Sequence, residues 1–269
     1  MDRMLIRRLI PVVLAIMPVW ACDRGGGEAD GAVQDAGDAD AGAGGGGGDS
    51  EGEQDADGGD EDGGVYNPVI RPEDFVAGVT NQYFPLKPGT LFTYKSEDED
   101  NTVEVLSETK VVLGVTCTVV LDRVLENGDL KEETYDWYAQ DKAGNVWYMG
   151  EDSKTYSGGV LTGTEGSWEA GVDGAKPGII LEADPQPGDS YRQEYYESEA
   201  EDMGDVVSLG ESVTVPAGTY ADCLKTRDWT PLEPGVSEFK YYARGVGFVL
   251  ETAPDGSGRL ELISVAEKQ

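Results

Sequence analysis

Histidine is absent from this 269-residue chain. Its absence excludes Ser-His-Asp and Cys-His catalysis, imidazole acid–base work, and the commonest ligand of zinc and copper. No glycine-rich loop joins a strand to a helix to cradle phosphates, and no Cys-x-x-Cys spacing offers a metal or redox pair. No cofactor and no metal centre is therefore expected. Basic residues are scarce too: 20 Lys and Arg against 53 Asp and Glu leave a net charge of −33. Such a chain repels phosphate backbones and anionic headgroups, which argues against nucleic acid and favours cationic partners.

What is present begins with a leader. Arg3, Arg7 and Arg8 form a basic start, and Leu9 to Val19 is an apolar stretch too short to span a bilayer. It ends in Val19-Trp20-Ala21-Cys22, which resembles the lipobox of bacterial lipoproteins, although Trp20 stands where a small residue is usual. The resemblance implies cleavage after Ala21, so that residues 1–21 are a signal peptide, and acylation of Cys22. The alternative is an ordinary secretory signal with a cysteine near its end. With a lipid on Cys22 the protein is expected to be exported and membrane-attached at the cell envelope, at the outer membrane or the cell surface.

A tether follows, over residues 22–64. From Asp23 to Gly64 there are 14 acidic residues against Arg24, and no apolar side chain larger than Val33. Nothing there can offset the entropy of ordering, so a disordered spacer is expected, with a root-mean-square span of roughly 35 Å. The acidic run from Asp55 to Asp62 lacks the closing Glu and the helices of a calcium loop.

From Val65 the composition turns to Val, Tyr, Trp and Thr with frequent turn residues, the pattern of one all-β domain over residues 65–269. Asn127-Gly128 is the strongest hairpin signal, since both residues tolerate the positive φ of a type I′ turn. A two-residue loop sets Arg123 opposite Glu132 but also Asp122 opposite Glu133, an unfavourable pair, so a bulge or longer loop is expected beside the turn.

An internal repeat organises the domain. Pro88-Gly89 followed by Tyr94 recurs as Pro187-Gly188 followed by Tyr195, and Trp137-Tyr138-Ala139 recurs as Tyr241-Tyr242-Ala243. Gly114 precedes Ala139, and Gly218 precedes Ala243, by the same 25 positions. Two antiparallel meanders, about 83–151 and 185–251, are expected to form one large curved sheet, a half-barrel or an open barrel. Cys117 and Cys223 fall at nearly equivalent places in the copies, and in an oxidising compartment they can form a disulfide. The doublets Trp137-Tyr138, Trp147-Tyr148 and Tyr241-Tyr242 put one ring on each face of a strand.

Between the copies, Gly163 to Gly178 reads as a loop too glycine-rich for regular structure. It carries Trp168, Glu169 and Asp173, and its expected meeting point with Trp137 and Tyr242 is the candidate ligand site. Trp168 is either the cap of an aromatic trough or a plug completing the core between the copies. Carboxylates are the one set of catalytic groups the composition leaves, with Glu133, Asp136, Glu169, Asp173, Glu194 and Glu238 as candidates, although most carboxylates in so acidic a chain simply face solvent.

The strings ETYDWYAQD, GNVWYMGE, GSWEAGVDGAKPG and KYYARGVG resemble those of a widespread family of uncharacterised exported bacterial proteins, many of them predicted lipoproteins. The likeness covers most of Tyr83 to Glu251 and implies export and a repeated β domain; it brings no catalytic residue. A looser similarity of shape is to lipoprotein carriers, whose open sheet wraps an acyl chain. The first functional reading is thus a non-enzymatic envelope lipoprotein that binds an apolar, carbohydrate or protein ligand. A two-carboxylate glycoside hydrolase and an acidic spacer or coat protein are the alternatives.

Overall fold

The computed structural model describes residues 66–268; the leader, Cys22 and the tether to residue 64 lie outside them. Apart from one 3-10 turn at Pro72–Asp74, the regular elements are strands. In chain order they are β1 (Phe75–Val76), β2 (Val79–Asn81), β3 (Phe84–Leu86), β4 (Thr90–Lys95), β5 (Glu99–Val112), β6 (Val115–Glu126), β7 (Asp129–Asp141), β8 (Val146–Ser157) and β9 (Val160–Gly163). Then follow β10 (Trp168–Glu169), β11 (Lys176–Leu181), β12 (Ser190–Arg192), β13 (Glu194–Tyr195), β14 (Met203–Val215), β15 (Gly218–Trp229), β16 (Ser237–Ala243), β17 (Gly247–Thr252) and β18 (Leu260–Glu267). No helix among the described residues is long and apolar enough to cross a membrane.

Strands β4 to β8 form one antiparallel meander and β14 to β18 a second, and β18 pairs with β4 to join them. A Pro-Gly turn leads into β4 and another into β12, the strand paired with β14, and the same backbone bond fixes both: Gly89 N–H donates to the Val105 carbonyl at 2.8 Å, and Gly188 N–H to the Val206 carbonyl at 2.9 Å. The large sheet runs β12-β14-β15-β16-β17-β18-β4-β5-β6-β7-β8-β11-β13. Its two end strands are successive parts of one segment, separated by Gln193 alone. Ser190 to Arg192 pair with β14, and the chain then changes partner so that Glu194 and Tyr195 pair with β11. The sheet thereby almost closes into a barrel whose seam lies at Gln193. At that seam the backbones come so near that a Cβ on Gly178 would stand 2.4 Å from the Arg192 carbonyl oxygen.

The Asn127-Gly128 hairpin has the expected backbone, with φ of +53° and +85°. Glu126 pairs with Asp129, and the expected bulge falls one residue further on: Leu125 faces Leu130 and Val124 faces Glu132, leaving Lys131 as the extra residue. The shift sets Asp122 opposite Thr134 and gives Arg123 to Glu133, whose carboxylate it contacts at 2.8 Å, in place of Glu132.

Two sequence expectations need correction. The glycine-rich segment between the meanders is not all loop, because Trp168–Glu169 and Gly178–Leu181 pair with β8. Its glycines serve turns (Gly171 and Gly174, φ +87° and +91°) or the seam, which leaves the backbone between them free to join the sheet. Cys117 and Cys223 are both buried free thiols and form no disulfide. Their strands, β6 and β15, stand six places apart in the sheet order. Cys117 lies near Lys110 and Glu169, whereas Cys223 lies near Asp222 and Glu211. Equivalent positions in two copies are separated by whatever operation relates the copies.

Candidate functional site

Alternation along the strands decides what enters the barrel. From each aromatic doublet the tyrosine points inward: Tyr138, Tyr148 and Tyr242 are fully buried, while Trp147 and Tyr241 are half-buried on the outer face. Trp137 also lies on the outer face, where the Lys110 ammonium sits 4.2 Å above its ring. The tyrosines at equivalent places of the two meanders, Tyr138 and Tyr242, both touch the Phe84 ring, at centroid distances of 5.3 and 6.4 Å.

Phe84 belongs to the β2-β3 hairpin, a separate two-stranded sheet pinned to turns of both meanders. Asn81 Nδ2 donates to the Gly144 carbonyl at 3.0 Å in the β7-β8 turn, and Gly245 N–H in the β16-β17 turn donates to the Gln82 carbonyl at 2.7 Å. Beneath this hairpin is an apolar pocket whose walls include Phe84, Phe92, Tyr94, Val120, Tyr138 and Phe248. It opens to solvent, and the space between its walls and across its open mouth together comes to about 440 Å³.

Beyond the aromatic layer the interior becomes acidic. Seven carboxyls are buried there: Asp122, Asp136, Glu151, Glu194, Asp228, Glu238 and Glu251. Lys240 is the single buried cation among the described residues. Strand register places them on one face, since Asp136 is the cross-strand partner of Glu151 and of Val120, while Lys240 is the partner of Glu251. Lys240 Nζ contacts Asp228 at 3.0 Å and Glu238 at 2.8 Å, and these neighbours hold its ammonium well above the usual lysine range against the opposing effect of burial. Asp228 also accepts from Thr226 Oγ1 at 2.9 Å and Gln193 Nε2 at 3.2 Å.

The carboxyls outside that ion pair have no cation of their own, and burial governs them. It pushes Asp122, Glu151, Glu194 and Glu251 well above the ordinary carboxylate range, with neighbouring acids adding to the shift. Asp136 is raised to about 7, even though Tyr148 donates to its Oδ1 at 2.7 Å and works against the shift. Asn101 Nδ2 donates to Asp122 at 2.7 Å. Burying so many acids around one lysine favours their neutral forms.

The residues expected to converge do so in part. Trp168 is 5% exposed, stands edge-on to Tyr148 at 5.3 Å and borders Glu194, so it is the plug and not the cap. Gly150 lets it approach Trp137: a Cβ there would lie 2.5 Å from the Trp168 carbonyl oxygen and 3.1 Å from the Trp137 ring. Glu169 lies outside and pairs with Lys110 at 2.9 Å, and Asp173 is exposed in a turn at φ +50°. Tyr242 packs elsewhere, against Phe84 and Phe248.

Of the candidate carboxylates, Asp136, Glu194 and Glu238 enter the barrel, whereas Glu133 is spent on Arg123. Sequence reasoning missed Asp122, Glu151, Asp228, Glu251 and Lys240. Their signal was alternation: Asp122 sits two residues from Val120 and Val124, both inward, and Glu151 two from Ser153. The cross-strand carboxyls Asp136 and Glu151 are 1% and 2% exposed, and Trp168 is the strand partner of Glu151 on its other side. Neither carboxyl belongs to the walls of the pocket, so no open cleft sets the pair against a glycosidic bond.

No protein-family model matches the chain, and no curated protein matches it in sequence. Among solved structures, one described as a "putative lipoprotein" from Parabacteroides distasonis aligns at 12% identity and a TM-score of 0.37 over 69% of this chain and 99% of that one. A likeness that distant carries no argument about what the barrel holds.

Proposed function

We propose that this chain is an exported, lipid-anchored binding protein that holds a small ligand, through its apolar part, in the pocket beneath the β2-β3 hairpin. The observation that carries the reading is the pocket itself: an aromatic-walled space in the barrel, under a hairpin that packs on the core through Phe84 and Leu86 and is hydrogen-bonded to turns of both meanders. Anchoring through Cys22 and a long acidic tether suits such a role, because it leaves the domain free to meet ligand away from the membrane surface. A purely structural coat has no use for such a pocket, and the pocket's walls hold no carboxyl pair of the kind hydrolysis needs.

The test is mass spectrometry of organic extracts from the purified full-length protein and from Val103→Phe, which fills the pocket from β5. The expected result is an apolar small molecule retained near one per chain by the wild type and lost from the variant, with both proteins showing cooperative thermal unfolding. Equal retention by a folded Val103→Phe protein would overturn the assignment.

A further inference from the structure

Resting on that reading, we propose that the ligand carries a primary ammonium group, which enters the barrel behind the apolar pocket and is bound by Tyr138, Asp136 and Glu151. The carboxyl cluster does not carry this by itself; the decisive feature is Tyr138. Its ring lines the pocket and is stacked on Tyr148, with centroids 5.0 Å apart and planes 19° from parallel. The Tyr148 hydroxyl spends its proton on Asp136 at 2.7 Å. The Tyr138 hydroxyl, fully buried on the same side, has no hydrogen-bond partner among the described residues, and neither has Glu151 Oε2. Buried polar atoms without partners cost stability, and Tyr138 is the residue bearing such an atom that also lines the pocket, so its hydroxyl marks where a ligand reaching past the apolar walls would complete the bonding.

The charges and hydrogen-bonding groups select the head group. An ammonium offers three donors, and the site offers the Tyr138 oxygen and two carboxyls as acceptors. Lys240 is engaged by Asp228 and Glu238, so Asp136 and Glu151 have no paired cation among the described residues. A carboxylate head would meet only acids, and a neutral head would leave the acids as they are. The groups facing Asp136 are Asp122 from β6, Glu132 and Tyr138 from β7, Tyr148 and Glu151 from β8, and Glu194 from β13, none of them cationic. Entry of the ammonium lets one neutral acid in the site ionise, so that a carboxyl proton leaves to solvent while the ammonium keeps all of its own. Charge inside the barrel is then conserved. The stacked tyrosines add the negative faces of their rings.

The experiment is calorimetric titration of the full-length Cys22→Ser protein with hexylamine, hexanol and hexanoate, which share one apolar chain. Hexylamine is expected to bind at least tenfold more tightly than hexanol, with release of a proton read from the dependence of the heat on buffer ionisation, and hexanoate is expected not to bind. Tyr138→Phe and Glu151→Gln should each bring hexylamine down to the affinity of hexanol. If hexanol and hexylamine bind alike, the ammonium assignment is overturned and the apolar pocket stands; if none of the three binds, the pocket reading falls with it.

Discussion

Most proteins lose stability in acid because their native carboxylates must be protonated; this one is expected to do the opposite over the neutral range. Asp136 is the group on which to work the magnitude. Burial raises it from an ordinary 3.8 to about 7 in the folded state. Below the lower value both states hold the proton and nothing is lost. Between the two, the unfolded chain releases its proton while the folded protein keeps it, so stability falls as pH rises, and the fall stops once pH has passed the folded value. At 1.36 kcal/mol per pH unit, Asp136 alone removes about 2.5 kcal/mol between pH 5 and pH 8. Asp202, raised by burial to about 7 beside the same network, adds a loss of the same sign.

Urea unfolding followed by tryptophan fluorescence at pH 5, 6.5 and 8 measures this directly. The variant Asp136→Asn separates the interior effect from general repulsion in so acidic a protein. Its amide oxygen can still accept from Tyr148, yet it cannot ionise, so the loss between pH 5 and pH 8 should shrink by about 2.5 kcal/mol while exposed charge changes hardly at all. A wild type that gains stability from pH 5 to pH 8, or an Asp136→Asn protein with an unaltered slope, would refute the argument.

Trp168→Ala removes the plug from beside Tyr148 and Glu194 and should cost about 3–5 kcal/mol, seen as a large drop in melting temperature; an unchanged melt would return Trp168 to the role of a surface cap. Gly178→Ala sets a methyl group 2.4 Å from the Arg192 carbonyl and should open the seam, making the segment from Gln193 to Asp202 the first site of limited proteolysis within the β domain, where the wild type is resistant. Cys117 and Cys223 are buried, and burial holds the Cys117 thiol up at about 12, so neither should react with iodoacetamide in the folded protein and both should in urea. Intact mass counts the labels, and fewer than two after unfolding without reductant would restore the disulfide.

The fold was legible because its signals are local. Asn127-Gly128 dictates a hairpin by itself, and the Pro-Gly turns with the shared 25-residue spacing announce two meanders. The unfavourable pairing of Asp122 with Glu133 even required the bulge that Lys131 provides. The site was not legible to the same degree, because its membership depends on register. A single extra residue at Lys131 decides whether Asp122 faces Thr134 or Glu133, and another at Val249 allows both Phe248 and Glu251 to face inward. Composition worked against recognition as well: in a chain with 53 acidic residues, the seven found buried among the described residues stand out in sequence only by their neighbours two positions away. The glycine-rich segment misled for a related reason, since glycine permits turns and close backbone approach alike. Gly150 and Gly178 serve the second purpose and are what allow Trp168 and Gln193 to reach their places.

The acidic interior is costly in a way that bears on its purpose. A barrel filled with leucine and valine at those positions would be more stable, because replacing a buried ionic group with a well-packed apolar one is often neutral or favourable. The Lys240 ion pair could be a fixture of the fold, as it is closed on itself through Asp228, Glu238, Thr226 and Gln193. Asp136 and Glu151 stand outside that closure, beside a phenol with no partner and a pocket with apolar walls. Groups that weaken the fold, and that lie together where a pocket meets the core, are where function has to be sought, since local consistency is given up at sites that do something else. On that ground the Asp136→Asn protein should be more stable than the wild type at pH 8 and poorer at retaining hexylamine, and the two measurements together separate a binding site from a mere defect of packing.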